Sequence, residues 1–358
     1  MPLVANTGLP GFDRLRAEGE EVLDIERARH QDIRELHIGL CNMMPDAALE
    51  VTERQFMRLI GGCNRIAQFY VYPFTTPEVP RGPAAREHIE RYYFDFEDLK
   101  REGLDALIVT GAIPGPDLTA EPFWEPLGRV FDWAAEHATS TLCACLATHA
   151  AMKYFWDIDR RPLGFKRWGV FAHRRRRMHP LVRNINTLFD VPHSRFNEIY
   201  AEQMLEHGIE VLVDSDEAGV HLAVSPDGLR FVFFQGHPEY DQNSLLKEYK
   251  REVARFAAGE VDVYPPFPDH YLSEHGRHLL DEFRRRLLDS NDRRSMLAAF
   301  PEDNAFDETE NTWGDTGKIV FNNWLGLVYQ VTGSERSAPF MPDVDPVDPL
   351  GLRRRQSA

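Results

Sequence analysis

The stretch STLCACLATHAAMKYFW, residues 140–156, changes its periodicity in mid-run. Up to Cys145 the residues are small or apolar without a break, as in a strand buried on both faces. From Leu146 onward the pattern is helical, and the two cysteines, Cys143 and Cys145, fall at the junction. A tight strand-to-helix turn exposes the side chain at its corner and aims the following helix's N–H groups at it. That end of a helix favours negative charge, so it lowers a thiol pKa and stabilises an oxyanion. Cys145 is the last residue before the helical pattern and is the candidate for that corner. Ala144 and Ala147 supply the small neighbours such a turn needs. Cys143 lies two residues earlier, on the same strand face but deeper, and reads as core. A cysteine in an apolar run is inert packing more often than a nucleophile, so this stretch does not decide the chemistry alone.

Outward from it, the pattern repeats. Residues 36–44 (LHIGLCNMM), 65–74 (RIAQFYVYPF) and 104–112 (LDALIVTGA) read as buried strands. Helical patterns follow them after Pro45, over 84–101 and over 123–137. Strand alternating with helix predicts an α/β fold with a mostly parallel sheet flanked by helices. Asn42, Thr110 and Cys145 then converge at one sheet edge, where open α/β sheets place their sites. The second half changes character: three short strands span 209–236, the last two joined through Ser225-Pro226-Asp227-Gly228 as a hairpin. Helices are expected over 244–256, 273–290 and 318–332. Residues 1–34 read as an N-terminal arm over the surface, 35–332 as a single domain with extra C-terminal helices, and 333–358 as a poorly ordered Pro-rich tail.

Composition narrows the partners. The chain has 358 residues and a formal net charge of −16, which argues against nucleic acid or an anionic membrane as partner. Its four cysteines form neither a disulfide framework nor a paired zinc motif, and read as reduced thiols of a cytoplasmic protein. The N-terminus lacks a basic segment followed by an apolar one, and no run approaches the length of a membrane span. The run Arg174–Arg177 reads first as a solvated face, with contact to phosphates as the alternative. His173 and His179 flank it at a spacing that matches no zinc motif, and no metal is expected.

The second chemical signal is FFQGHPEYD, residues 233–241. His237 follows a strand and a glycine, and Glu239 shares its face in extended backbone. A cysteine, a histidine and an acid that orients it make a nucleophile, base and orienter.

At these residues the chain resembles class I glutamine amidotransferases. More closely it resembles the homoserine O-acyltransferase family built on the same flavodoxin-like fold, the succinyltransferases of methionine biosynthesis. The resemblance spans about residues 36–332 and rests on NMMP, LIVTGA, STLCACLATHAA, KRWGVFAH, PHSRF, GHPEYD, EYKRE and NNWLGLVYQVT, in that order. It implies that Cys145 carries the acyl group, His237 is the general base and Glu239 its supporting acid. It implies that Lys166, Ser194 and Arg251 bind the amino acid, and that Gly115 occupies a position where glycine accompanies succinyl and glutamate accompanies acetyl. The expected substrates are succinyl-CoA and L-homoserine, with no other cofactor, and the resemblance suggests a homodimer. Acetyl-CoA as donor, serine as acceptor, and a glutaminase using the same cysteine are the competing readings. The chain departs from the family in Asp46, Ala47 and Ala48, where a Lys-Lys pair is common, and in His149, where Gln is common. Pro114 and Pro116 around Gly115 and the extra helix near 273–300 are further departures.

Overall fold

The computed structural model describes residues 3–63, 66–336 and 338–353. Among the described residues eleven strands form one sheet: β1 (Leu3–Ala5), β2 (Val22–Asp24), β3 (Glu35–Cys41), β4 (Gln68–Phe74), β5 (Ala106–Val109), β6 (Ser140–Ala144), β7 (Arg161–Arg175), β8 (Leu188–Glu198), β9 (Glu210–Ser215), β10 (Gly219–Val224) and β11 (Phe231–Phe234). Their spatial order is β2-β1-β4-β3-β5-β6-β11-β10-β9-β7-β8. From β2 to β11 every neighbour is parallel, and from β11 to β8 every neighbour is antiparallel. The mostly parallel sheet and the β10–β11 hairpin follow the sequence reading.

The unbroken apolar runs have a physical cause, because both sheet faces are covered. Ile38, Leu40, Leu142, Ala144 and Phe234 pack on one face with Phe56, Phe321 and Trp324, from the helices Leu49–Gly61 and Gly314–Val331. Cys41, Val109, Cys143 and Phe233 face the other way, against the helices Trp124–His137 and Leu146–Trp156. Successive residues of a strand alternate between these two cores.

Three expectations are corrected. The expected N-terminal arm, over its described residues 3–34, is no surface arm: β1 pairs with both β2 and β4, so β1 and β2 extend the parallel sheet. Strands of three residues are too short for an alternation to register, and only pairing with an existing edge orders them. The tail is ordered over its described part. Phe340 is buried beneath the Arg230 guanidinium, and the Met341 N–H donates to the Val331 carbonyl at 3.0 Å; residues 354–358 lie outside the described residues. The single helix expected over 84–101 is two, Pro83–Tyr92 and Phe96–Glu102, with the Asp95 side chain capping the second.

The β7–β8 hairpin was not anticipated. It curls past the end of β11, where the His237 N–H donates to the Pro192 carbonyl at 2.8 Å. Its register slips between the Pro162–Asn197 and Arg167–Arg195 pairs, and Gly164 there adopts a φ of 77°. Such a bulge re-aims side chains; Lys166 lies within it and Ser194 just beyond it, opposite Trp168. Gly169 has a specific reason to be glycine: a Cβ there would stand 2.2 Å from the Asp269 carbonyl oxygen.

A third core joins the helices Ser244–Ala258 and Glu274–Asp289 through Tyr249, Val253, Leu280, Phe283 and Phe300, with Trp168 of β7 at its rim. The extra C-terminal helices thus brace the helix that carries Glu248 and Arg251. No helix among the described residues is long and apolar enough to cross a membrane.

Phe283 is fully buried in this third core. Phe283→Ala should destabilise the protein by about 3–5 kcal/mol, read as a lower urea midpoint at unchanged slope.

Candidate active site

The corner after β6 has the geometry its sequence predicted. Cys145 adopts φ 51° and ψ −109°, a conformation a side chain rarely takes and one that costs about 1–3 kcal/mol. Its surroundings hold it there. The Cys145 N–H donates to the Phe234 carbonyl of β11 at 2.7 Å, and its carbonyl accepts from the Thr148 N–H at 3.0 Å. The Thr148 hydroxyl lies 2.8 Å from the Cys143 carbonyl and 2.9 Å from that of Phe234, tying strand end to helix start. Leu146 opens the helix, so the N–H groups of Leu146 and Ala147 lack intrahelical acceptors. Cys145 is partly exposed, whereas Cys143 is sealed in the core and burial pushes its thiol pKa up.

Across the corner stands His237. Its Nδ1 is 2.7 Å from Glu239 Oε1, and its ring stacks on Tyr240 at a centroid distance of 4.3 Å. With Nδ1 donating to the carboxylate, Nε2 turns to the Cys145 sulfur; this contact falls short of full hydrogen-bond geometry, and Nε2 has no other partner among the described residues. Apo enzymes commonly hold such contacts loose. Burial works against a charged ring here, but the Glu239 carboxylate and the Cys145 sulfur outweigh it and hold the His237 pKa well above the usual histidine range. The start of the last helix anchors this loop: Trp313, just before it, donates from Nε1 to the Tyr240 carbonyl at 2.9 Å, and Gly317 packs on Pro238. Arg54 and Arg58 grip Asp241.

A second cluster centres on Glu248, a residue whose role sequence reasoning missed. Its Oε2 accepts from Lys166 Nζ at 3.1 Å and from the Ser194 hydroxyl at 2.7 Å, and its Oε1 accepts from the Tyr240 hydroxyl at 2.7 Å. Burial alone would raise the Glu248 pKa; the Lys166 charge and these hydrogen bonds outweigh it and lower it. The Lys166 ammonium also sits 3.9 Å above the Trp168 ring. Tyr240 therefore links this cluster to His237. Arg251 stays outside the network: it is exposed, and its contact is to Glu252 at 3.5 Å. The only sequence signal for Glu248 was its place one helical turn before Arg251 in EYKRE.

Gly115 lies in an exposed loop whose carbonyl accepts from Arg160 Nη2 at 2.8 Å, as does that of Pro116 at 3.1 Å. The loop begins beside the nucleophile, since a Cβ on Gly111 would be 3.6 Å from Cys145 Cβ. Asn42 and Thr110 converge on the same edge but act on backbone, Asn42 bonding the Leu49 carbonyl and Thr110 accepting from the Met43 N–H. Asp46 accepts from the Gly82 N–H at 2.7 Å and so anchors a helix start. His149 bonds Gln235 behind the corner, and burial lowers its pKa to about 3.

The arginine run is half spent: Arg176 pairs with Asp214 and Asp216, and Arg177 with Glu210. His173 is buried against His193 and kept neutral chiefly by burial, while His179 Nδ1 accepts from the Leu181 N–H.

Two outcomes follow from this geometry. Iodoacetamide should label Cys145 first, and Cys143→Ala should leave the labelling rate within about twofold while Cys145→Ala removes it. Because the His237 pKa is raised on folding, its share of stability is complete below the unfolded value near 6.5. That share is lost as pH rises through the folded value. Glu239→Gln should therefore move the His237 ring titration, followed by NMR, to lower pH, and the stability gap from the parent should be widest at low pH and narrow as pH rises.

Comparison with known proteins identifies the family. The homoserine O-succinyltransferase family model matches residues 2–334. The homoserine O-succinyltransferase of Methylobacter tundripaludum is 59% identical over 354 residues, covering 98% of this chain and 100% of its own length. That of Allochromatium vinosum is also 59% identical, covering 98% and 99%, and that of Cardiobacterium hominis is 51% identical, covering 99% and 100%. Among solved structures, a glutamine amido transferase from Methylobacillus flagellatus aligns with 82% of this chain and 95% of its own, at 10% identity and a TM-score of 0.43. With family match and relatives both spanning nearly its whole length, the chain belongs to the homoserine O-succinyltransferase family.

Proposed function

We propose that this protein transfers the succinyl group of succinyl-CoA to the hydroxyl of L-homoserine through a thioester on Cys145, as a cytoplasmic step of methionine biosynthesis. The observation that carries the reading is the convergence of Cys145, His237 and Glu239 at the carboxyl edge of the parallel strands, in a chain of this family.

The steps balance. His237 takes the Cys145 proton, and the thiolate attacks the succinyl carbonyl carbon. The bond to the CoA sulfur breaks, and the His237 proton passes to that sulfur as CoA leaves. One thioester replaces another, so the acyl group is stored at little free-energy cost. Acylation also removes the charge on Cys145, one of the two contributions that hold the proton on His237. The ring is thus readied as a neutral base for the second step. It takes the proton of the homoserine hydroxyl, and the oxygen attacks the acyl carbon. The bond to Cys145 breaks, and thiolate and imidazolium are restored. The N–H of Leu146 and those of the Gly111–Ala112 turn are the oxyanion donors in this reading.

The amino acid carries both charges. Glu248, kept ionised beside Lys166, suits its ammonium. Lys166 and Ser194 suit its polar groups. Arg251 has only a loose hold on Glu252 and is available to turn onto the carboxylate.

Succinyl-CoA and homoserine together should release free CoA thiol with parallel double-reciprocal plots, and succinyl-CoA alone should exchange with labelled CoA. Cys145→Ala should lose at least about a thousandfold in turnover, while Cys143→Ala keeps it within about threefold. Ammonia release from glutamine, or no thiol release with any acyl-CoA, would overturn the reading.

A further inference from the structure

Arg160 was not singled out by the sequence, yet its placement is specific. It follows the corner helix, after the left-handed turn at Asp157 (φ 53°), and its side chain reaches the loop that starts beside Cys145. Two of the guanidinium's five donors are spent on the Gly115 and Pro116 carbonyls. These bonds fix the plane of the group and leave its remaining N–H donors free. Among the described residues no carboxylate lies within ion-pair distance of it. The two nearby acids are engaged elsewhere, Glu121 with the Gly115 N–H and Asp117 with the Thr119 N–H and hydroxyl. Arg160 also interacts electrostatically with Cys145 and with His149, which places its charge near the first turn of the corner helix. It is partly buried, and burial is the main influence lowering its pKa, yet it remains a strong cation.

A fixed, unpaired, partly desolvated guanidinium beside a nucleophilic sulfur is a receptor for a carboxylate two methylenes away from the acyl carbon. We infer that Arg160 is the specificity-determining residue that binds the distal carboxylate of the succinyl group, in the donor and in the acyl-enzyme. The inference rests on the proposed succinyl transfer and names the residue that reads its substrate. It also gives Gly115 a chemical reason. The backbone there does not require glycine, and a Cβ would meet only the end of the Glu121 side chain, at 3.0 Å. A glutamate at 115 is therefore accommodated, and its carboxylate would occupy Arg160 in place of the substrate's.

The test compares succinyl-CoA with butyryl-CoA, which carries a methyl where succinyl carries its carboxylate. Arg160→Gln should lower the ratio of their kcat/KM values, succinyl over butyryl, by at least about tenfold, and Arg160→Lys should restore part of it. Gly115→Glu should lower the same ratio in the parent and change it little in the Arg160→Gln background. An equal loss with both donors, an unchanged ratio, or additive effects of the two substitutions would overturn the role of Arg160 while leaving succinyl transfer intact. A parent protein that releases no thiol from either donor would overturn both readings.

Discussion

Parallel pairing of β6 with β11 is the constraint on which the rest depends. The register sets Ala144 beside Phe234, so the next residue of one strand is Cys145 and the next turn of the other brings His237. The Phe234 carbonyl then takes the Cys145 N–H, and the same hydrogen bond that ends the ladder holds the strained corner. A slip of one residue would turn every side chain of either strand to the opposite core. Because both cores are filled, that slip is strongly disfavoured, and the nucleophile and its base arrive at one edge without any contact between them having to provide the stability.

Strain at the corner and charge at the base are sustained by elements far away in sequence. The His237–Asp241 loop has no regular structure of its own. It is held by Trp313 and Gly317 at the start of the last helix, by Pro192 from β8, and by Arg54 and Arg58 on the helix after β3. The third core plays the same part for Glu248, since the helix bearing it is packed from behind by Leu280 and Phe283. What looks like an appended helical segment is the support of the amino-acid end of the site. Tyr240 joins the two halves by stacking on His237 and donating to Glu248. The chain's large negative charge does not describe the site, where Lys166 pairs with Glu248 and Arg160 holds the loop at Gly115.

Two residues that the resemblance did not anticipate have structural tasks. Asp46 holds the start of the helix Pro83–Tyr92 through the Gly82 N–H, a task a lysine could not perform because it has no acceptor. His149 completes the hydrogen bonding of Gln235, whose amide also meets Ile199 and Val220 behind the corner. Both secure the backbone around them.

Much of this was written in local pattern. The strand-to-helix change at Cys145 was legible because buried strands and amphipathic helices differ in period, and that difference needs no neighbours to express. His237 and Glu239 were legible as a pair because they lie two residues apart. The short strands β1 and β2 were not legible, being too short to carry a period, nor was the β7–β8 hairpin, whose mixed polar residues face a site on one side and a core on the other. Glu248 and Arg160 were invisible for a different reason. A charged residue on a helix or in a loop looks the same whether water or a pocket receives it, and only the folded chain decides which. The sequence by itself determined the local elements and the chemical types at their ends. The tertiary structure alone decided which of those ends meet, since pairing between distant strands and burial of a charge are properties of the whole packed sheet.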